Sequence, residues 1–122
     1  MVLIDANGVL RFILNDNIDM AVKVGELIEN NKVSIRYEVI AEVIHVLYKV
    51  YLMPKIEITD VLKKFLRLPN IKSESINVLT LALEKYAIAN IDFVDCILYS
   101  FNAIYGYKVF TFDKKLISLL KE

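Results

Sequence analysis

Short apolar runs that alternate with stretches of helical periodicity leave this chain few folds to choose from. Val2-Leu3-Ile4 closes on Asp5, Val33-Ser34-Ile35 follows, and Lys108 to Phe112 closes on Asp113. Each reads as a strand apolar on both faces, the pattern of a buried parallel sheet. A weaker strand is expected near Ile71. Between them, apolar spacing predicts helices over residues 9–14, 18–29, 37–52, 59–66, 75–88, 93–105 and 114–121. The punctuation agrees: Asp16 or Asn17 can cap the second, Pro54 ends the third, Pro69-Asn70 closes the fourth and Gly106 stops the sixth. Parallel strands need crossover helices. The expected fold class is therefore α/β, a three-layer α/β/α sandwich with a mainly parallel central sheet, built as a single domain over residues 1–122. In such sheets ligands bind beyond the carboxyl ends of the strands, which is where Asp5 and Asp113 fall.

Composition narrows the function. Hydrophobic residues make up 57% of the chain and mean hydropathy is +0.47, yet charged residues interrupt every apolar stretch. None approaches the roughly 20 residues that cross a bilayer, so no membrane association is expected. The start of the chain has no basic segment before its apolar run, so no signal peptide is expected either. The apolar excess is assigned to partner surfaces, a homodimer contact and a second protein. A net charge of zero is not the footprint of a protein that binds nucleic acid mainly by neutralising phosphates. It leaves room for a nuclease whose positive charge is carried by metal ions. Cys96 is the only cysteine, which excludes a disulfide framework and a thiolate metal cluster, and fits a cytoplasmic setting.

The acids are the candidates for chemistry. Asp5, Glu42, Asp92, Asp95 and Asp113 are all embedded in strongly apolar sequence. Carboxylates among core residues are expensive to desolvate unless compensated, and no matching set of lysines and arginines is in place. A divalent cation would compensate them together, which points to a metal-dependent phosphodiesterase. His45 is assigned to packing or an interface, Cys96 to the core, and the aromatic residues at helical spacing to core or interface.

Asp5-Ala6-Asn7 with Val9 to Phe12, Ala41-Glu42-Val43, Ile91-Asp92-Phe93-Val94-Asp95 and Thr111-Phe112-Asp113 together resemble the PIN-domain nucleases, over nearly the whole chain and in the right order. The likeness is greatest to the ribonuclease toxins of prokaryotic type II toxin–antitoxin modules, the VapC-like group. The resemblance implies an α/β/α sandwich, homodimerisation, Mg²⁺ (or Mn²⁺ in its place) at a cluster of acids, endonucleolytic cleavage of an RNA substrate, and a cognate antitoxin as partner. By position, Asp5 matches the first-strand acid, Glu42 the acid of the third helix, Asp95 the acid opening the late helix and Asp113 the last-strand acid. Asp92 matches a position that is often acidic. Asn7 matches an asparagine that orients acids, and Thr111 a hydroxyl beside the metal. Two residues depart from the pattern: Ala6 replaces a usual Thr or Ser, and Tyr99 stands where small residues are usual.

Mg²⁺ prefers hard oxygen ligands and keeps several waters, so carboxylates from separate elements suit it. Asp5, Glu42, Asp95 and Asp113 are the expected direct or water-mediated ligands and catalytic acids, with Asp92 recruiting a second ion or an ordered water. Arg11 is a candidate for substrate phosphate or for pairing with a site acid, and Lys114 and Lys115 are candidates for RNA contact. The alternative is a catalytically weak or inactive PIN-fold protein serving as a binding or regulatory module, favoured by Ala6 and Tyr99. A phosphoaspartate receiver domain would need an adjacent acidic pair after the first strand, where Ala6-Asn7 stands instead.

Overall fold

The computed structural model describes residues 1–122 and forms two compact units, Met1–Glu74 and Ser75–Glu122. The first unit carries the sheet. Its strands β1 (Val2–Leu3), β2 (Val33–Ser34) and β3 (Ile71–Lys72) lie in the order β1-β2-β3 and are all parallel, Val2 aligned with Val33 and Val33 with Ile71. Four helices connect them: α1 (Ala6–Leu14), α2 (Ile18–Asn30), α3 (Tyr37–Lys49) and α4 (Lys55–Leu66). This is the parallel α/β sheet that the alternating pattern demands. Its core is made by Val9, Val33, Ile35, Ile40, Val43, Leu47, Ile58 and Leu62, all essentially inaccessible to water. On α3 the buried positions 40, 43, 44 and 47 recur at helical spacing and form one stripe.

Helix ends follow local chemistry closely. Asn17 caps α2 by accepting the Met20 N–H at 3.1 Å. Pro54 does not end α3 as expected. That helix stops at Lys49, Leu52 turns into the left-handed region at φ 53°, and Pro54 instead stands at the N-cap position of α4. The fixed proline φ suits an N-terminus, where its missing N–H matters least, so α4 begins at Lys55 rather than near Thr59.

The second unit is helical, with α5 (Ile76–Ile88), α6 (Phe93–Tyr105) and α7 (Lys114–Leu120). Helices α5 and α6 pack on one another, burying Val78, Leu79, Ala82 and Leu83 of the first and Phe93, Cys96, Ile97 and Ser100 of the second. The Tyr86 and Phe93 rings meet edge-on with centroids 6.0 Å apart. Cys96 is fully buried as expected, and the Ser100 hydroxyl is satisfied by donating to the Cys96 carbonyl at 2.8 Å. Gly106 ends α6 at φ 72°, a conformation that glycine alone takes without a Cβ penalty.

The strand expected over Lys108–Phe112 does not form. The segment is extended and keeps a strand's alternation, Val109 and Thr111 partly covered and Phe110 and Phe112 exposed, but it joins no ladder. β-prone residues describe a side-chain pattern that fits a pleated, half-buried surface; they do not provide the neighbour that a ladder needs.

Candidate active site

In the first unit, Asp5 follows β1 and caps α1. Its extended backbone (φ −89°, ψ 175°) turns Oδ1 onto the Gly8 N–H at 2.8 Å. The carboxylate is exposed, and its second oxygen has no partner within the chain. This cap depends on close packing beneath it. A Cβ on Gly8 would stand 2.7 Å from Cγ1 of the buried Ile4 and 3.4 Å from Asp5 Oδ1. Gly8→Ala should therefore lower stability by about 1–3 kcal/mol, because a β-branched core residue must leave its rotamer, and this outweighs the helix-propensity gain of alanine. Urea denaturation checks it, and an unchanged or raised midpoint would refute the packing described.

Glu42 corrects the sequence reading. Its neighbours Val43 and Ile44 are buried, but Glu42 itself is exposed, on the α3 face that also carries Glu38, His45 and Lys49. Residues at helical spacing separate onto faces, so apolar neighbours in sequence need not be neighbours in space. His45 is likewise exposed rather than packed. Asn7 is exposed in the first turn of α1 and makes no hydrogen bond to an acid. Arg11 is engaged elsewhere: Nη1 lies 2.7 Å and 2.9 Å from the two Asp16 oxygens, and Nη2 is 3.4 Å from the Tyr51 hydroxyl. Those contacts raise its pKa, the Tyr51 hydrogen bond most. The partner of Arg11 is therefore Asp16, an acid outside the expected set. Ala6 is buried.

The second unit brings three of the expected acids under one another's influence. Asp92 stands at the N-cap position of α6, yet its side chain makes no capping bond, so both oxygens stay open. Asp95 lies in the first turn of the same helix and is partly buried. Asp113 caps α7 through Oδ1, which accepts the Leu116 N–H at 2.9 Å. The Asp113 N–H in turn donates to Thr111 Oγ1 at 3.0 Å, so the Thr111 hydroxyl braces the turn that presents this acid. Burial holds the pKa of Asp95 above its ordinary value, and the negative charges of Asp113 and Asp92 push it further the same way. None of the three carboxylates forms an ion pair.

The nearest turn of α6 shows where the available cation goes. Lys85 Nζ sits 5.0 Å from the centre of the Tyr99 ring and 3.0 Å from Glu122 Oε1. Tyr99, one turn beyond Asp95, thus helps to hold a lysine engaged with a different carboxylate. Lys85 and Glu122 are 37 positions apart, so sequence spacing gave no signal of this pair.

Asp5, Glu42, Asp92 and Asp113 are exposed, and burial therefore does not penalise them as expected; only Asp95 is partly desolvated. What replaces burial is mutual repulsion around Asp95. The donors are all hard carboxylate oxygens, the chemistry that Mg²⁺ and Mn²⁺ favour. No group of three or more His, Cys, Asp or Glu side chains stands at metal-holding spacing.

Residues 2–121 match the PIN domain family. No curated protein and no solved structure matches the chain. No helix is long and apolar enough to cross a membrane.

Proposed function

The chain belongs to the PIN-domain family, and we propose that it is a Mg²⁺-dependent endoribonuclease, the toxin of a toxin–antitoxin pair. PIN domains are generally nucleases and typically use divalent metal ions, and the family match covers residues 2–121. The observation that carries the proposal is Asp95, partly buried and under the charges of Asp92 and Asp113, with no basic side chain paired to any of them. Negative charge gathered without a counter-charge is an arrangement that a divalent cation relieves.

Asp5, Glu42, Asp95 and Asp113 are the proposed ligands, and Asp92, free of capping duty, recruits further positive charge. When bound, the ion lowers the pKa of a coordinated water and offsets negative charge on the phosphodiester under attack. The protein's own contribution is placement. The Gly8 N–H fixes one oxygen of Asp5 and the Leu116 N–H one oxygen of Asp113, leaving the second oxygen of each without a hydrogen-bond partner in the chain. Thr111 locks the turn before Asp113. Exposed Ile18, Leu52, Ile56 and Ile88 offer apolar area for the homodimer and the antitoxin.

Incubation with total bacterial RNA tests this reading. Internal cleavage in Mg²⁺ or Mn²⁺, its loss in EDTA, and growth arrest on expression that Asp5→Asn relieves are the expected results. Asp5→Asn cleaving like wild type, with EDTA having no effect, would refute it. The second reading, a binding module without useful catalysis, is favoured by Ala6, which is buried, and by Tyr99, whose ring lies against Lys85. Absence of any Mn²⁺ heat in calorimetry of the folded protein would select it.

A further inference from the structure

Four aromatic side chains between Tyr105 and Phe112 stand in solvent, and we propose that they form a stacking track for the bases of single-stranded RNA, leading from the end of α6 to Asp113. Tyr105 and Tyr107 are 50% and 60% exposed, and Phe110 and Phe112 are 87% and 86% exposed. At the C-terminus of α6 the rings of Phe101, Tyr105 and Tyr107 lie within 8° to 32° of parallel, with centroids 5.6–6.0 Å apart. The platform is anchored: Asn102 Nδ2 donates to the Tyr107 carbonyl at 2.9 Å, and the Tyr105 hydroxyl lies 3.2 Å from Ser75 Oγ. From there the extended segment continues through Phe110 and Phe112, whose rings meet edge-on at 5.2 Å, and ends at Asp113. Asp95 begins the same helix that the platform ends, ten residues or about 15 Å away along its axis.

The charge pattern selects the occupant. Lys108 interrupts the rings, and Lys114 and Lys115 follow Asp113; all three are exposed and none is in an ion pair. Lys114 and Lys115 also line a groove of about 420 Å³ with Asn90 and Ile91. The core of a protein–protein interface is depleted in lysine. Aromatic faces interleaved with free ammonium groups are instead the composition that binds single strands, the rings taking bases and the lysines taking phosphates. This inference rests on the nuclease reading for its choice of RNA, and it names the surface that would lead a strand to those acids.

The test is binding of a short, fluorescently labelled single-stranded oligoribonucleotide in EDTA, where cleavage does not intervene. Phe110→Ala with Phe112→Ala, and separately Tyr107→Ala, should each weaken binding about fivefold or more, since each stacked base contributes roughly 1–3 kcal/mol. The chain has no tryptophan, so Phe110→Trp supplies a single reporter; it should keep wild-type affinity and be quenched as RNA is added. Unchanged affinity in the alanine variants, or no quenching of the tryptophan, would overturn the proposal. So would conversion of a dimer to a monomer by the phenylalanine substitutions with RNA affinity intact, which would make the surface a contact between copies. Ring-dependent binding by a protein that cleaves no RNA would leave the track standing and remove only the nuclease reading.

Discussion

Asp95→Asn should abolish RNA cleavage while making the protein more stable. Both effects come from the same charge. Asp95 is partly buried and shares its surroundings with Asp113 and Asp92, so its ionised form is disfavoured in the folded chain and its pKa is raised. Asparagine keeps the shape and removes the repulsion. The loss of activity should exceed the roughly 10- to 100-fold typical of residues one layer outside a metal site, because Asp95 is proposed to hold the ion itself. The sign of the pH dependence follows by linkage. A carboxyl whose folded-state pKa is raised binds its proton more tightly in the native state, so the stability it contributes is complete below the ordinary aspartate range. That contribution is lost as pH rises through the raised folded value. Wild type should therefore lose stability across that window, and Asp95→Asn should show a flatter profile with a higher midpoint at neutral pH. Thermal unfolding at several pH values, beside a cleavage assay, measures both. A variant less stable than wild type at neutral pH would contradict the repulsion, and one that cleaves normally would contradict the role.

Divalent metal should reverse the stability order. An ion that binds only the folded state stabilises it by mass action, by about 2.7 kcal/mol at a hundredfold excess over its dissociation constant. Titrating Mn²⁺ into wild type should raise the melting temperature progressively and restore cleavage after EDTA treatment. In Asp95→Asn or Asp113→Asn most of that rise should vanish. Asp113→Asn should retain the cap of α7, since asparagine can also accept the Leu116 N–H through its side-chain oxygen. A lost metal response there would then reflect the missing charge rather than a frayed helix. Equal Mn²⁺ shifts in all three proteins would place the ion elsewhere.

Much of the architecture was legible along the chain. Phe93 to Tyr105 was readable as a helix to the residue, because its apolar spacing, the extended residue before it and Gly106 after it are all local signals. The same holds for Asn17 before α2 and for the parallel pairing of Val33 with its neighbours. The position of Asp113 before the last helix was also readable, as was the proximity of Asp92 to Asp95 three residues on, whereas α1 begins at Ala6, directly after Asp5, rather than at residue 9. Three features were not. Pro54 carries the same signal whether it ends one helix or begins the next, and Leu52 at positive φ decided which. Glu42 looks buried in a linear view but lies on the solvated face of α3. Phe110 and Phe112 look like strand core, yet strand pairing depends on another segment arriving alongside, which no local pattern contains.

Sequence alone determined the types of element, most of their limits and the inventory of carboxylates, because backbone propensity, capping and apolar period act over a few residues. Only the tertiary structure decided that Asp113 would charge the surroundings of Asp95, that Lys85 would be engaged by Glu122, and that Arg11 would turn to Asp16. Coulomb interactions and desolvation depend on distance through space, and the chain's own order does not encode that distance.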